Sequence, residues 1–196
     1  MRSLGKSFNI KDEYYTPKIL VDILEPYIKL WHDNYITKHK RDPIFWCPFD
    51  TENSEFCLFL KDSNYKYVHS HIKDNYDFFN LNPQFDCAIS NPPFSTKLEV
   101  FNRLFELKKP FAMIMNMMVI NYQIMGDLFV ENKIQLLIPN KKVSFDGNGS
   151  SFSSGYICKD FLLNDLIFCK VDNNNVGKYF VPSRMYRDFE NESENM

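Results

Sequence analysis

The chain has 196 residues, 44% of them hydrophobic and 24% charged, and its formal net charge is −2. This length accommodates one domain with a core of its own, and the small negative charge argues against a uniformly basic surface for nucleic acid. No run approaches the roughly 20 apolar residues that a membrane-spanning helix needs, and the N-terminal residues lack the apolar core of a signal peptide. We therefore expect a soluble cytoplasmic protein without a membrane anchor.

The first part of the chain alternates helix and strand patterns. Residues 16–35 repeat apolar side chains at helical spacing and predict a helix that Thr16 caps. Residues 42–49 are an apolar run that predicts a short buried strand. A second helix pattern at 54–63 and a β-rich stretch at 65–72 follow.

The same alternation continues after a turn-like stretch at residues 74–84. Three more buried strands and two helices are predicted, in chain order, at residues 85–90, 96–110, 111–118, 121–133 and 134–140. The Gly- and Ser-rich residues 141–156 predict a loop, and two strand patterns at 157–162 and 163–172 close the fold.

Such an alternation is typical of a mostly parallel sheet with helices on both faces. We predict a Rossmann-like α/β fold whose C-terminal strands form an antiparallel pair. Residues 1–175 make a single domain in this prediction, and residues 176–196 are a polar tail. In such sheets, ligands bind beyond the carboxyl ends of the strands.

Five cysteines, scattered without a CxxC pair, predict buried, reduced thiols rather than disulfides or a zinc site. We expect no bound metal. The cysteines are Cys47, Cys57, Cys87, Cys158 and Cys169.

The most informative stretch follows the strand at 85–90 and consists of Asn91, Pro92, Pro93 and Phe94. The prolines fix the backbone and donate no hydrogen bonds, so the strand stops and the Asn91 side chain is held in a stiff turn. The Asn91 side-chain carbonyl and the Pro92 backbone carbonyl can together accept two hydrogen bonds from one exocyclic amine, which localises the nitrogen lone pair. Phe94 offers a face on which a flipped-out base can stack.

This tetrapeptide resembles the catalytic Asp/Asn-Pro-Pro-Tyr/Phe/Trp motif of S-adenosylmethionine-dependent adenine-N6 methyltransferases. Residues 13–18 (EYYTPK) and 76–80 (YDFFN) resemble two further segments of that family, in the expected order. The resemblance implies the methyltransferase version of the Rossmann-like fold, with S-adenosylmethionine as cofactor. It also implies methyl transfer to the N6 amine of adenine in nucleic acid, with DNA favoured and RNA left open. Residues 91–94 are the implied catalytic residues.

The same resemblance implies which residues bind the cofactor. They follow the first two strands, precede the first helix or lie in the turn before the strand at 85–90. His71 stands where the family usually has an acid for the ribose. The implied residues are Tyr15, Thr16, Pro17, Pro48, Phe49, Asp50, Asn53, His71, Asp77 and Phe78.

The loop after the first strand departs from the family pattern, which is Asp/Glu-Pro-x-x-Gly-x-Gly. Cys47 replaces the acid, and Thr51 and Asn53 occupy the glycine positions. Glycine tolerates positive φ and leaves room for a ligand, whereas a β-branched threonine does neither. Two hypotheses follow. Either a variant loop with Asp50 and Asn53 binds the cofactor in an active enzyme, or a weakly active or inactive methyltransferase-like protein binds nucleic acid or a protein partner.

Candidate substrate contacts lie outside these motifs. Lys97 is suited to a phosphate near the catalytic turn, and Phe145 and Phe152 can stack on a base. The chain has room for little beyond a catalytic core, which suggests an orphan enzyme of a phage or mobile element. An amine on a protein or small molecule stays an alternative, because the tetrapeptide recognises a planar NH₂ group. Neither the oligomeric state nor a recognition sequence is predicted.

Overall fold

The computed structural model describes residues 15–145 and 151–171, and the structural statements below refer to these residues. The predicted tail at 176–196 and the middle of the loop at 141–156 lie outside them. In chain order the helices and strands are α1 (Lys18–His39), β1 (Ile44–Cys47), α2 (Glu55–Asp62), β2 (Lys66–His69), β3 (Cys87–Ser90), α3 (Lys97–Leu107), β4 (Phe111–Asn116), α4 (Gln123–Asn132), β5 (Gln135–Pro139), β6 (Val143–Ser144), β7 (Ser151–Phe152), β8 (Ser154–Lys159) and β9 (Leu166–Cys169).

Seven strands form one sheet in the order β2-β1-β3-β4-β8-β5-β9, and β6 pairs with β7 separately. Strands β1 to β4 are parallel where they pair, β8 is antiparallel to both β4 and β5, and β9 is parallel to β5. The predicted fold class, a Rossmann-like and mostly parallel α/β sheet, is confirmed. The two predicted C-terminal strands correspond to β8 and β9, which are separated in the sheet by β5. The antiparallel pairing is that of β8 with β4 and β5.

The core lies on both faces of the sheet because successive strand residues point to opposite sides. In β1, Phe45 packs with Leu24 of α1 and Phe56 of α2. Its neighbour Trp46 packs on the other face with Phe101 of α3, in the cluster that also contains residues of α4. The helices therefore cover both faces, as a sheet buried on both sides requires.

Helix α1 begins later than the sequence predicts. Pro17, with ψ 139°, is the N-cap, and the helix runs from Lys18 to His39, so Thr16 precedes it and is not the cap. Proline is suited to this position because it has no N–H group to leave unsatisfied. Thr16 is instead buried at the carboxyl end of the sheet.

Strand β1 marks a switch in the direction of the chain. After β1 the chain adds β2 on one side, then crosses back past β1 to add β3 on the other. The connections that leave β1 and β3 therefore diverge, and such a switch point opens a crevice between the carboxyl ends of the two strands. The residues after Cys47 and Ser90 meet at this crevice.

The amino end of the sheet is held by a cluster around Asp86, which directly precedes β3. Its carboxylate accepts hydrogen bonds from Arg41 Nη1 at 2.8 Å, the Tyr35 hydroxyl at 2.7 Å and the Ile44 amide at 2.9 Å. Burial raises the pKa of Asp86, but the hydrogen bonds from Arg41, Tyr35 and Ile44 outweigh it and hold this pKa well below its usual range. Asp86 is therefore a charged anchor between the starts of β1 and β3.

Candidate functional site

A cleft of about 340 Å³, counting the space at its open mouth, lies at the carboxyl ends of β1 and β3. The location is where α/β sheets bind ligands. Four separate chain segments contribute to it. The lining residues are Tyr15, Thr16, Phe49, Asp50, Thr51, Ser54, His71 and Asn91.

Half of the predicted cofactor-binding residues line this cleft, together with Asn91 of the predicted catalytic turn. The cofactor residues are Tyr15, Thr16, Phe49, Asp50 and His71. Residues that are 76 positions apart along the chain are thus brought to one place by the parallel sheet.

Of the other predicted cofactor residues, two support the wall of the cleft from behind. Phe78 is fully buried, and its ring lies 4.8 Å from that of Phe49, centroid to centroid. The Pro48 carbonyl accepts a hydrogen bond from the Ser70 hydroxyl at 3.4 Å. They hold Phe49 and its loop in position without lining the cleft.

The remaining three lie outside the lining. Pro17 caps α1, Asn53 is exposed on the β1–α2 loop, and Asp77 accepts a hydrogen bond from the Phe79 amide at 3.0 Å within its own turn. Their predicted contacts with a cofactor stay predictions.

The loop between β1 and α2 needs no glycine for its backbone. The described non-glycine residues with positive φ are at six positions, and none of these lies between Cys47 and Glu55. Thr51 and Asn53 therefore avoid the left-handed conformation that makes glycine necessary elsewhere. What the chain loses without glycine is space, because Thr51, at one of the two glycine positions, lines the cleft.

Asp50 connects this loop to the turn at Asn91. It is 5% exposed, and its carboxylate accepts a short hydrogen bond from the hydroxyl of Ser90, the residue before Asn91. The Ser90 oxygen in turn accepts a hydrogen bond from the Phe49 amide at 3.2 Å. Burial raises the pKa of Asp50 to about 6, against the lowering effect of Ser90, Ser54 and His69.

His71 has a defined hydrogen-bonding role in the cleft wall. Its Nδ1 accepts a hydrogen bond from the Lys73 amide at 3.2 Å and caps a short 3₁₀ helix, Ile72–Asp74. In the neutral ring the proton is then on Nε2, which makes that nitrogen a donor.

A second cleft, of about 350 Å³, begins on the other side of the same turn, where Phe94 is one of its walls. Lys97 also lines it, with Nζ 5.5 Å from the centre of the Tyr122 ring and 3.3 Å from the Phe94 carbonyl oxygen. The full lining is Phe94, Lys97, Met115, Asn116, Met118, Val119 and Tyr122. The second cleft thus combines flat apolar faces with an amide and one cation.

The other predicted substrate residues are placed less informatively. Phe145 packs against the α1 side of the core and is not in the lining of either cleft. Phe152 belongs to β7, and its side chain lies outside the described part of the structure.

Three residues at the first cleft were missed by sequence reasoning: Thr51, Ser54 and Ser90. Ser54 has a recognisable signal, since it is the N-cap of α2 and its hydroxyl accepts from the Cys57 amide at 3.5 Å. Ser90 could have been found as the small polar residue at the end of an otherwise apolar strand.

Two classes of site find no support in the described residues. No cluster of three or more His, Cys, Asp or Glu side chains there is arranged to hold a metal ion. The same residues include no helix with the length and apolar character to cross a membrane.

Comparisons with known proteins give likenesses to solved structures but none to family models or curated proteins. The fold is similar to a type I restriction-modification system methyltransferase subunit from Streptococcus thermophilus, with a TM-score of 0.46 and 11% sequence identity. The likeness covers 91% of this chain and 52% of that one, so the chain spans about half the length of the subunit. At this score the likeness carries no argument about function.

Proposed function

We propose that the protein is an S-adenosylmethionine-dependent methyltransferase that modifies the N6 amine of adenine in nucleic acid, with DNA as the favoured substrate. One observation carries the proposal. Asn91 lines a cleft at the switch point of the sheet, and Phe94, three residues later, lines a second cleft. A two-substrate transfer needs two binding sites that meet at the reacting group, and this turn provides the meeting point.

The first cleft has groups that fit S-adenosylmethionine. Asp50 would face its positive charge, the Thr16 hydroxyl would hydrogen-bond to a hydroxyl or amine group, and His71 Nε2 would donate to a hydroxyl oxygen. Phe49 and Tyr15 give flat faces for the adenine ring. When bound there, S-adenosylmethionine supplies an electrophilic methyl group on a sulfonium, whose C–S bond breaks with its electron pair remaining on sulfur.

The turn at Asn91 prepares the target amine for this transfer. The Asn91 side-chain oxygen and the Pro92 carbonyl would accept its two hydrogens, so the nitrogen lone pair is directed at the methyl carbon. As the new N–C bond forms, the nitrogen becomes positively charged, and it then loses one proton to solvent. Pro92 is buried and Asn91 half-buried, which keeps this pair of acceptors in one position.

The second cleft supports a nucleic-acid base as the carrier of the amine. Phe94 and Tyr122 are ring faces for stacking, and the half-buried Lys97 between them suits an adjacent phosphate. A base inside a duplex cannot reach such a cleft, so the target nucleotide must be flipped out or single-stranded.

The test is methyl transfer from isotope-labelled S-adenosylmethionine to duplex DNA, single-stranded DNA, RNA and protein in parallel. We expect label in DNA, recovered as N6-methyladenine when the nucleosides are analysed by mass spectrometry. Label in RNA alone would change the substrate, and label in protein would change the substrate class. Binding of DNA or a protein partner without any transfer would instead favour the inactive, methyltransferase-like alternative.

A further inference from the structure

Among the described residues three carboxylates are buried: Asp22, Asp50 and Asp86, which are 4%, 5% and 7% exposed. Asp22 forms an ion pair with Lys18, and Asp86 forms one with Arg41. Burial of an ionised carboxylate is unfavourable unless a cation or several hydrogen bonds compensate for it.

Asp50 is the exception within this part of the chain, since it interacts with the hydroxyls of Ser90 and Ser54 and with His69 rather than with a lysine or arginine. It also lines the first cleft. One side of this buried carboxylate is open to a ligand site, and no lysine or arginine among the described residues forms an ion pair with it. Such a group is suited to a ligand that itself carries a positive charge.

The surroundings hold the carboxylate in place without neutralising it. Because the Ser90 oxygen accepts from the Phe49 amide, its single proton is directed to Asp50. Ser54 interacts with the same carboxylate from the N-terminus of α2. The carboxylate therefore has a fixed position but keeps its need for a positive charge.

We infer that Asp50 recognises the positive charge of the ligand in the first cleft and makes this cleft select cationic sulfonium or ammonium compounds over neutral analogues. This inference rests on the proposed function and deepens it, because it assigns to the glycine-free loop a specific contact with S-adenosylmethionine. In this loop the side chain of Asp50 then contacts the ligand, whereas in a glycine-rich loop the backbone makes the contacts.

Proton release should accompany binding. The pKa of Asp50 lies at about 6 in the ligand-free protein because of its burial, and a bound cation favours the ionised form and lowers that pKa. Ligand binding below about pH 6 therefore displaces a proton, and affinity falls by up to about tenfold per pH unit there. Other titratable groups lie near this carboxylate: His69 on β2 and Cys47 on β1 interact with it electrostatically, and His71 lines the same cleft. The share of Asp50 is therefore measured by substitution.

The experiment is isothermal titration calorimetry at pH 5.5 and 7.0, each in two buffers of different ionisation enthalpy. S-adenosylmethionine carries the sulfonium and ammonium charges, S-adenosylhomocysteine only the ammonium, and 5′-methylthioadenosine neither. We expect the first to release protons at pH 5.5 and the third to release none. Release with the first two ligands alike would assign the contact to the ammonium group, and release with the first alone to the sulfonium.

The Asp50→Asn variant keeps the size of the side chain and removes its charge. We expect its affinity for S-adenosylmethionine at pH 7.0 to fall by about tenfold or more, and its affinity for 5′-methylthioadenosine to change by less than about twofold. The Asp86→Asn variant removes a buried carboxylate at the opposite end of the sheet and is the matched control. It should leave the ligand affinities and the proton release unchanged.

The outcomes separate this inference from the proposed function. If wild-type protein binds none of the three compounds at either pH, the proposed function fails. If it binds S-adenosylmethionine but Asp50→Asn weakens all three ligands equally or none of them, Asp50 does not recognise charge and the inference is overturned. Should Asp50→Asn not fold, equal pH dependence of the cationic and neutral ligands on wild-type protein would overturn it as well.

Discussion

Two buried carboxylates at opposite ends of the sheet, Asp50 and Asp86, have opposite surroundings. Asp86 accepts hydrogen bonds from an arginine, a tyrosine and a backbone amide, and its pKa is held well below the usual range. Asp50 accepts from Ser90, and burial raises its pKa to about 6. The same residue type is a satisfied structural anchor at the amino end and an incompletely compensated group at the carboxyl end.

This difference favours the carboxyl end of the sheet as the end that binds a ligand. The fold pairs Asp86 with Arg41, whereas the equally buried Asp50 has no lysine or arginine partner among the described residues. The arrangement around Asp50 is therefore not the one that would stabilise the protein most. Such arrangements are expected where a ligand completes the interaction. Four variants test this contrast.

Replacement of Asn91 by alanine should affect catalysis most. Removal of one of the two acceptors for the target amine is expected to lower the methyl-transfer rate by about 10²–10³-fold, as with other lost transition-state hydrogen bonds. The rate is measured with labelled S-adenosylmethionine under single-turnover conditions. Asn34→Ala, at an exposed position on α1, is the control and should retain the wild-type rate. A rate within threefold of wild type for Asn91→Ala would remove Asn91 from the mechanism.

Replacement of Asp50 by asparagine should stabilise the ligand-free protein. The pKa of Asp50 is raised from 3.8 to about 6 on folding, so the folded state binds the proton more tightly and stability falls as pH rises through this window. Above pH 6 the charged group costs up to about 3 kcal/mol, and the variant should regain much of this in the free energy of unfolding at pH 8. Urea denaturation at pH 8 and pH 4 measures it. A variant less stable than wild type at pH 8 would contradict the view that Asp50 is poorly compensated.

Replacement of Asp86 by asparagine should have the opposite sign. Loss of the charged partner of Arg41 is expected to lower the free energy of unfolding by about 2 kcal/mol at pH 7. Because the pKa of Asp86 is lowered on folding, its stabilising effect is present above the unfolded pKa and is lost as pH falls toward the folded value. The difference from wild type should therefore shrink between pH 7 and pH 3. A constant difference across that range would show that charge is not the cause.

The smallest effect is expected for Phe94→Leu in the second cleft. Leucine keeps the apolar contacts of this half-buried side chain but removes the ring face, so binding of a labelled single-stranded DNA should weaken by about fivefold. Fluorescence anisotropy measures the affinity, and thermal unfolding should show little change. Equal DNA binding by both proteins would exclude stacking on Phe94.

The sequence predicted the alternation of elements and the abrupt end of the strand before Asn91, because both depend on local patterns. The apolar strand before Asn91 and the double proline after it are visible in four to ten consecutive residues. The position of Asn91 beside Asp50 also followed, since parallel strands bring their carboxyl ends to one edge.

The remaining features depend on contacts between distant segments. Arg41 and Asp86 are 45 positions apart, and no local pattern pairs them. The insertion of β5 between β8 and β9 likewise depends on which strands pair, and the residue pattern of a single strand does not specify its neighbours in the sheet. The glycines of the family pattern suggested that the backbone of the β1–α2 loop must adopt positive φ. Thr51 does not have a positive φ. The loop is instead held by a hydrogen bond from the Phe49 amide to Ser90, a residue of another strand.

The most direct test of the contrast between the two ends is a titration of ¹⁵N-labelled protein with S-adenosylmethionine, followed by amide chemical shifts. The largest changes should occur at Thr16, at residues 49–54 and at Asn91, while the amides of Ile44 and Cys87 at the amino end stay unchanged. No shift at millimolar ligand, or changes centred on the amino end around Asp86, would contradict the assignment of the ligand site to the carboxyl ends of β1 and β3.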